Sequence, residues 1–212
     1  AGAQLAGLLP HRGRNGVART APGKDTAAML NESLDVLLLV NLDPDFDINA
    51  CPDALGRLAK QNCVIALTPF LSEALLDVAD LLLPVGTFAE TSGTYINVEG
   101  AWQSFAGVAR PLGQARPGWK VLRVLGNLLE VDGFDYISSE EIREEFRGLV
   151  SEGRTAIPES KFGDIAVVDG TDAPHAELDI PLYWVDGIVR RARALQLTPA
   201  ARRIAAQQGS AR

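Results

Sequence analysis

Three runs in the first half of the chain are apolar without polar alternation: residues 35–42 (DVLLLVNL), 63–67 (CVIAL) and 80–84 (DLLLP). A strand wetted on one face alternates apolar and polar side chains. Unbroken runs of this length therefore predict strands covered on both faces, as in a parallel sheet. Each run ends on a breaker: Asp43-Pro44, Thr68-Pro69 and Pro84 itself. Between them, helical spacing predicts helices over 52–61, with Pro52 near its start, and over 71–78, with Ser72 placed to cap it. Strand, helix, strand, helix, strand with links this short predicts right-handed βαβ units. The expected fold class is α/β, a Rossmann-like three-layer parallel sheet.

The remaining pattern is appended to that sheet. Upstream, 3–9 predicts a helix of small residues stopped by Pro10, then a loop through Arg12, Gly13, Arg14, Asn15 and Gly16, then a helix over 26–33. Downstream comes one helical turn at 88–90 and a projecting β-ribbon over 94–105. The ribbon has a β-branched and aromatic run at 94–98, a Glu99-Gly100 tip, and a return run carrying Trp102 and Phe105. A polar link at 110–117 leads to helices over 119–131 and 138–150, the second with Ser138 and Glu141 at capping-box spacing. Residues 151–182, rich in Gly, Asp and Pro, predict an extended arm. An amphipathic helix over 184–195 and a polar tail follow, and there are no internal repeats. The expected division is an α/β domain over 1–131, then helix, arm and C-terminal helix over 132–212.

Composition narrows the function classes. With 47% hydrophobic and 22% charged residues the chain is that of an ordinary globular protein. A net charge of −7 and a pI near 4.9 give no basic footprint for nucleic acid. No apolar run reaches the roughly 18 residues that span a bilayer, so direct membrane insertion is not expected. The opening AGAQLAGLLPHRGRNG has neither an initiating Met nor the order of an export signal, and reads as the interior of a longer polypeptide. Two cysteines suit a reducing compartment better than a disulfide framework.

Few residues form a chemical constellation. Asp43, Asp45 and Asp47 have the alternate spacing of a calcium loop, but Ile48 falls where Gly is needed and Ala54 where a bidentate Glu is needed. They predict solvated carboxylates at a strand end. Cys51 and Cys63 are too few for an iron–sulfur cluster, which takes three or four thiolates. His11 and His175 stand alone. The Arg12–Gly16 loop is either a solvated connector or an anion cradle, and lacks the GxGxxG spacing. Trp184, Val185, Ile188, Val189, Ala192 and Leu195 form one stripe, with Arg190, Arg191 and Arg193 elsewhere on the same predicted helix. The stripe serves core packing or docks another polypeptide; both readings stand.

Residues 79–100, ADLLLPVGTFAETSGTYINVEG, resemble the signature of the molybdopterin oxidoreductase family. The C-terminal Asp186, Arg190, Arg191, Leu195, Gln196 and Thr198 pattern is similar to one branch, the G-type large iron–sulfur subunits of bacterial NADH:quinone oxidoreductase, respiratory complex I. The resemblance implies a nucleotide crevice lined by Glu90, Thr91, Asn97 and Glu99, beside Asp43-Pro44 where cofactor-holding members often have Asn-Pro. Those members also have E-G-R-x-Q where this chain has Glu99-Gly100-Ala101-Trp102-Gln103. The G-type branch is understood to keep the fold without the molybdenum cofactor. On that basis Asp43, Thr91, Asn97 and Glu99 are expected to form a vestigial crevice, with no catalytic, cofactor-binding or metal-binding residue in this chain. The plain alternative gives Thr91 and Asn97 to turn and ribbon hydrogen bonds and the glutamates to caps or solvent. The resemblance further implies iron–sulfur clusters in a cysteine-rich region elsewhere in the full-length polypeptide. Its implied partners are other peripheral-arm subunits and the N-terminal part of the same polypeptide, docked through Trp184, Ile188, Arg190 and Arg191. The implied location is peripheral, on the cytoplasmic side of the bacterial inner membrane. The implied role is structural, within an electron-transfer complex. The competing implication is part of a molybdopterin-dependent enzyme acting on formate or nitrate; a free-standing nucleotide-binding module is a third class.

Overall fold

The three apolar runs form a parallel sheet. In the computed structural model, β1 (Leu37–Val40), β2 (Val64–Thr68) and β3 (Leu81–Pro84) pair in the order β1-β2-β3, with Leu38, Ile65 and Leu81 side by side. Residues 1–48, 51, 53–152 and 182–209 are described. They belong to two compact units, Ala1–Ala156 and Ile157–Arg212. Asp80, just ahead of β3, fixes the register. Its carboxylate accepts the Val64 N–H at 2.7 Å and its own N–H donates to the Val64 carbonyl at 2.8 Å.

Short helices precede and join the strands. Helix α1 (Gly2–Ala6) ends before the predicted 3–9 because Gly7, at φ 72°, turns the chain left-handed. There the Leu8 N–H reaches the Ala3 carbonyl and the Gly7 N–H the Gln4 carbonyl, the two bonds that close a helix end of this kind. Helix α2 (Thr26–Asn31) is capped by Asp25, whose carboxylate accepts the Ala28 N–H at 2.8 Å. After β1, the expected loop is corrected to a single helical turn, α3 (Pro44–Asp47); Asp45 and Asp47 are exposed as expected, while Asp43 is buried. Proline's fixed φ suits the first position of such a turn, and the Asp43 N–H donates to the Asp47 carboxylate at 2.7 Å. Helix α4 (Ala54–Leu58) is shorter than the predicted 52–61, and α5 (Glu73–Val78) carries the predicted cap, Ser72 Oγ accepting the Leu75 N–H.

Leu30 of α2, Leu58 of α4 and Leu75 of α5 pack on the side of the sheet that presents Leu37, Leu39, Val64 and Ala66. Leu58 and Leu75 are wholly buried there. Covering on both faces holds for the central strand, where Val64, Ala66 and Leu67 are all buried, but not for β1, whose Leu38 and Val40 face solvent. Strands added in one direction by right-handed crossovers put their helices on the same side, which leaves the other side to something else.

Beyond β3, the turn at Phe88–Glu90 leads into an antiparallel ribbon, β4 (Gly93–Ile96) and β5 (Trp102–Phe105), in which Tyr95 and Phe105 stack at 5.3 Å. Helix α6 (Gly118–Leu128) follows Pro117, and α7 (Ser139–Glu152) begins as predicted with Ser138 Oγ accepting the Glu141 N–H. The Glu141 carboxylate reaches back one residue further than a capping box requires, to the Ile137 N–H at 2.8 Å. Helix α7 is fastened to the ribbon. Its Phe146 ring lies 5.4 Å from Trp102, Arg147 lies 5.0 Å over the same indole, Arg143 donates to Ser104 Oγ, and Ser139 Oγ meets Ser92 Oγ at 2.7 Å. The first compact unit includes α7. The arm expected over 151–182 falls on residues 153–181, outside the described residues.

In the second unit the expected single helix over 184–195 is corrected. The chain instead makes 3-10 turns at Leu182–Trp184 and Val189–Arg191, then α8 (Arg193–Gln196) and α9 (Pro199–Gly209). Asp186 restarts the chain by accepting the Ile188 and Val189 N–H groups, both at 2.9 Å, and Ala192 is extended at φ −76°, ψ 98°. The polar tail is itself helical over α9. Pro199 at its first position and Thr198 Oγ1, which accepts the Ala201 N–H, are the start signals that a reading of periodicity passed over.

Candidate functional site

Open α/β sheets bind ligands past the carboxyl ends of their strands, and here β3 leads straight into the turn and ribbon. Thr87 and Glu90 lock the turn. The Glu90 carboxylate accepts the Thr87 N–H at 2.8 Å and the Thr87 hydroxyl at 3.0 Å. These bonds, the backbone one first, hold the Glu90 carboxyl below the ordinary carboxylate range. Thr91 donates its hydroxyl to the Ser92 carbonyl. At the ribbon's far end, Asn97 Oδ1 accepts the Glu99 N–H at 3.0 Å and the Ala101 N–H at 2.9 Å, and Gly100 takes φ 79°, which a side chain would resist.

The structure thus places the four crevice candidates at three separate points. Asn97 and Glu99 share the ribbon tip, Thr91 lies at the ribbon's base, and Asp43, 7% exposed, heads α3 beyond β1. Asn97 organises the tip and Thr91 the turn, as the plain alternative has it, while Glu99 is exposed. Arg12 and Arg19 stitch the N-terminal loop together: Arg12 donates to the Gly16 carbonyl, and Arg19 to the Arg12 and Gly7 carbonyls.

The docking candidates lie in the second unit. Trp184 donates its indole N–H to Gln196 Oε1 at 2.7 Å, and the Gln196 amide donates in turn to the Tyr183 and Val189 carbonyls. Arg190 and Arg191 donate to the Val185 and Gly187 carbonyls, and Ile188 is 40% exposed. These contacts close a small knot around Gln196. The expected stripe presented along a helix is not formed.

One feature was missed by the sequence reading. Between the ribbon and α7 lies a cleft of about 240 Å³ lined by Ser92, Thr94, Trp102, Trp119, Ser139 and Phe146 among others. The Trp119 indole N–H is buried with no partner among the described residues. These positions lie far apart in sequence, so no spacing connects them. Among the described residues no three His, Cys, Asp or Glu side chains come together as a metal would require. Cys51 and Cys63 are both half-buried.

The molybdopterin oxidoreductase family model matches residues 12–128, more than half of the chain. The chain belongs to the molybdopterin oxidoreductase family. Its similarity extends to a mitochondrial NADH-ubiquinone oxidoreductase 78 kDa subunit of Candida albicans, 39% identical over 66 residues, 31% of this chain and 9% of that protein. A bacterial NADH-quinone oxidoreductase subunit, of the G type, from Shewanella oneidensis is 28% identical over 131 residues, 59% of this chain and 14% of the relative. A formate dehydrogenase-like protein of Staphylococcus haemolyticus is 27% identical over 170 residues, 74% of this chain and 17% of the relative. The chain thus spans less than a fifth of each of these relatives. Toward the cofactor in this family's name, the crevice residues are a poor match. The Asn97 oxygen is taken by two backbone N–H groups, Glu90 is tied to Thr87, Ala101 offers no cation, and Asp43 and Glu99 would repel phosphate.

Proposed function

We propose that this molybdopterin oxidoreductase-family domain serves as a structural part of a G-type large iron–sulfur subunit in the peripheral arm of an NADH:quinone oxidoreductase. It holds neighbouring polypeptides in place and makes or breaks no bond itself. The carrying observation is the ribbon. The Asn97 oxygen is committed to the ribbon's own tip, and Trp102 is committed to Phe146 and Arg147 of α7. The iron–sulfur clusters of such a polypeptide would lie in another part of it. Among the described residues no helix is long and apolar enough to cross a membrane, which suits a peripheral place on the cytoplasmic side of a bacterial inner membrane. The remainder of the polypeptide and other arm subunits would be its neighbours. Within the second unit, Trp184, Ile188, Arg190 and Arg191 remain the proposed contact residues, presented by the knot rather than by a helix.

A second reading follows from the length of the formate dehydrogenase-like alignment, which covers more of this chain than the Shewanella oneidensis one. One experiment separates the two. The genomic copy is tagged and purified at native abundance with whatever it is assembled in. The scaffold reading expects NADH-dependent reduction of ferricyanide in that material and no stoichiometric molybdenum. Formate-dependent dye reduction with bound molybdenum and pterin would overturn it.

A further inference from the structure

The sheet face opposite α4 and α5 is apolar; Leu67 of the central strand is wholly buried on it, but the outer strands leave it open, and beside β3 it continues into a groove. By the two-residue period of a strand, Leu38, Val40, Ile65, Leu81 and Leu83 point to the side opposite α4 and α5. Leu38, Val40 and Leu81 are 39%, 49% and 47% exposed. Beside β3 this face opens into a groove of about 690 Å³ between β3 and α6. Its walls are Leu81 and Leu83 on one side and Val121, Val124, Leu125 and Leu128 on the other. Among the described residues, the rest of its lining includes three cations, Arg116, Lys120 and Arg123, and no carboxylate. In a chain of net charge −7 that is a local inversion of sign.

We propose that this face and groove are the docking site of an amphipathic helix lying outside these 212 residues, apolar on one side and carrying carboxylates where it meets Arg116, Lys120 and Arg123. A helix is the occupant because helices are what cover the faces of parallel sheets, whereas an added strand pairs at an edge. The cationic margin selects its charge. Like charge placed there would be repelled, and opposite charge would fix the helix in register. The proposal stands on geometry alone and holds whichever assembly the domain belongs to.

The test uses the full chain and two labelled synthetic helices of about 18 residues, roughly 27 Å long. Both have leucines on one face; one carries glutamates and the other lysines on the opposite face. Binding is read by fluorescence anisotropy. The glutamate helix should bind about tenfold or more tighter than the lysine helix, and Lys120→Glu should remove or reverse that preference. Val124→Asp should abolish binding of the glutamate helix. Lys120 and Val124 are exposed, so an unchanged thermal midpoint verifies that each variant folds. Equal affinity for both helices, or none, overturns the proposal. So does a wild-type dimer in sedimentation that Val124→Asp converts to monomer, since a second copy would then be the occupant. Retention on phosphatidylglycerol vesicles without preference between the helices would make the surface a lipid site, and overturns it too.

Discussion

At the residue scale, the local environment sets the behaviour of two residues, Gly126 and Glu90. Gly126 lies within α6, where alanine is usually better than glycine by about 1 kcal/mol. Here a Cβ would overlap the Phe134 ring. Overpacking of this kind costs about 1–3 kcal/mol, so Gly126→Ala should lower the thermal midpoint. The same change in a Phe134→Leu background should cost less, because the overlap is then relieved. Glu90 carries a pH signature. Its carboxyl is held below the ordinary value near 4.5, chiefly by the Thr87 N–H. The unfolded chain thus binds that proton more readily than the folded one. The stabilisation is full above the ordinary value and is lost as pH falls through the lowered one. Wild type should therefore melt above Glu90→Gln at neutral pH, and the gap should close on acidification below the ordinary value. A gap that widened instead would show that the Thr87 contacts do not stabilise the charged form.

At the element scale, the joint between the ribbon and α7 is the contact to break. Trp102 follows Ala101, in the slot where the family's motif carries arginine, and its indole meets both Phe146 and Arg147. Trp102→Ala should cost about 2–3 kcal/mol, at or just below the lower end of the roughly 3–5 kcal/mol for losing a large buried aromatic, because the residue is half-buried. Hydrogen exchange gives the sharper readout. Amides of α7 should lose protection while those of β2, whose core lies among Leu58, Leu75 and Val64, keep it. Equal loss in both would mean that sheet and ribbon unfold as one unit. This joint was not legible in the sequence. The strands and their capped helices announce themselves through local pattern, whereas Trp102 and Phe146 are brought together by a turn, a link and two helix ends. The 184–195 stripe failed for the opposite reason. Its apolar periodicity is real, but Asp186 supplies a competing side-chain acceptor for backbone N–H groups, and local capping won over periodicity.

At the scale of the whole molecule, the scaffold reading predicts that the purified chain binds neither molybdenum nor pterin. Elemental analysis and fluorescence of the oxidised pterin would both stand at background. Stoichiometric amounts of either would return the crevice residues to a cofactor and sink the scaffold reading. The sequence alone determined the parallel three-strand sheet and its chain order, the ribbon, the Ser72 and Ser138 caps, and the family, because strand period, breakers and capping residues act over a few positions. Only the tertiary structure decided which face of the sheet is buried, that Asn97 closes the ribbon tip, and that α7 belongs with the ribbon. An apolar run does not say which of its faces is covered, since that depends on the hand of the crossovers and on what lies beyond them. Leu38 and Leu39 read alike in the sequence, and the fold puts one in the groove-side face and the other in the core.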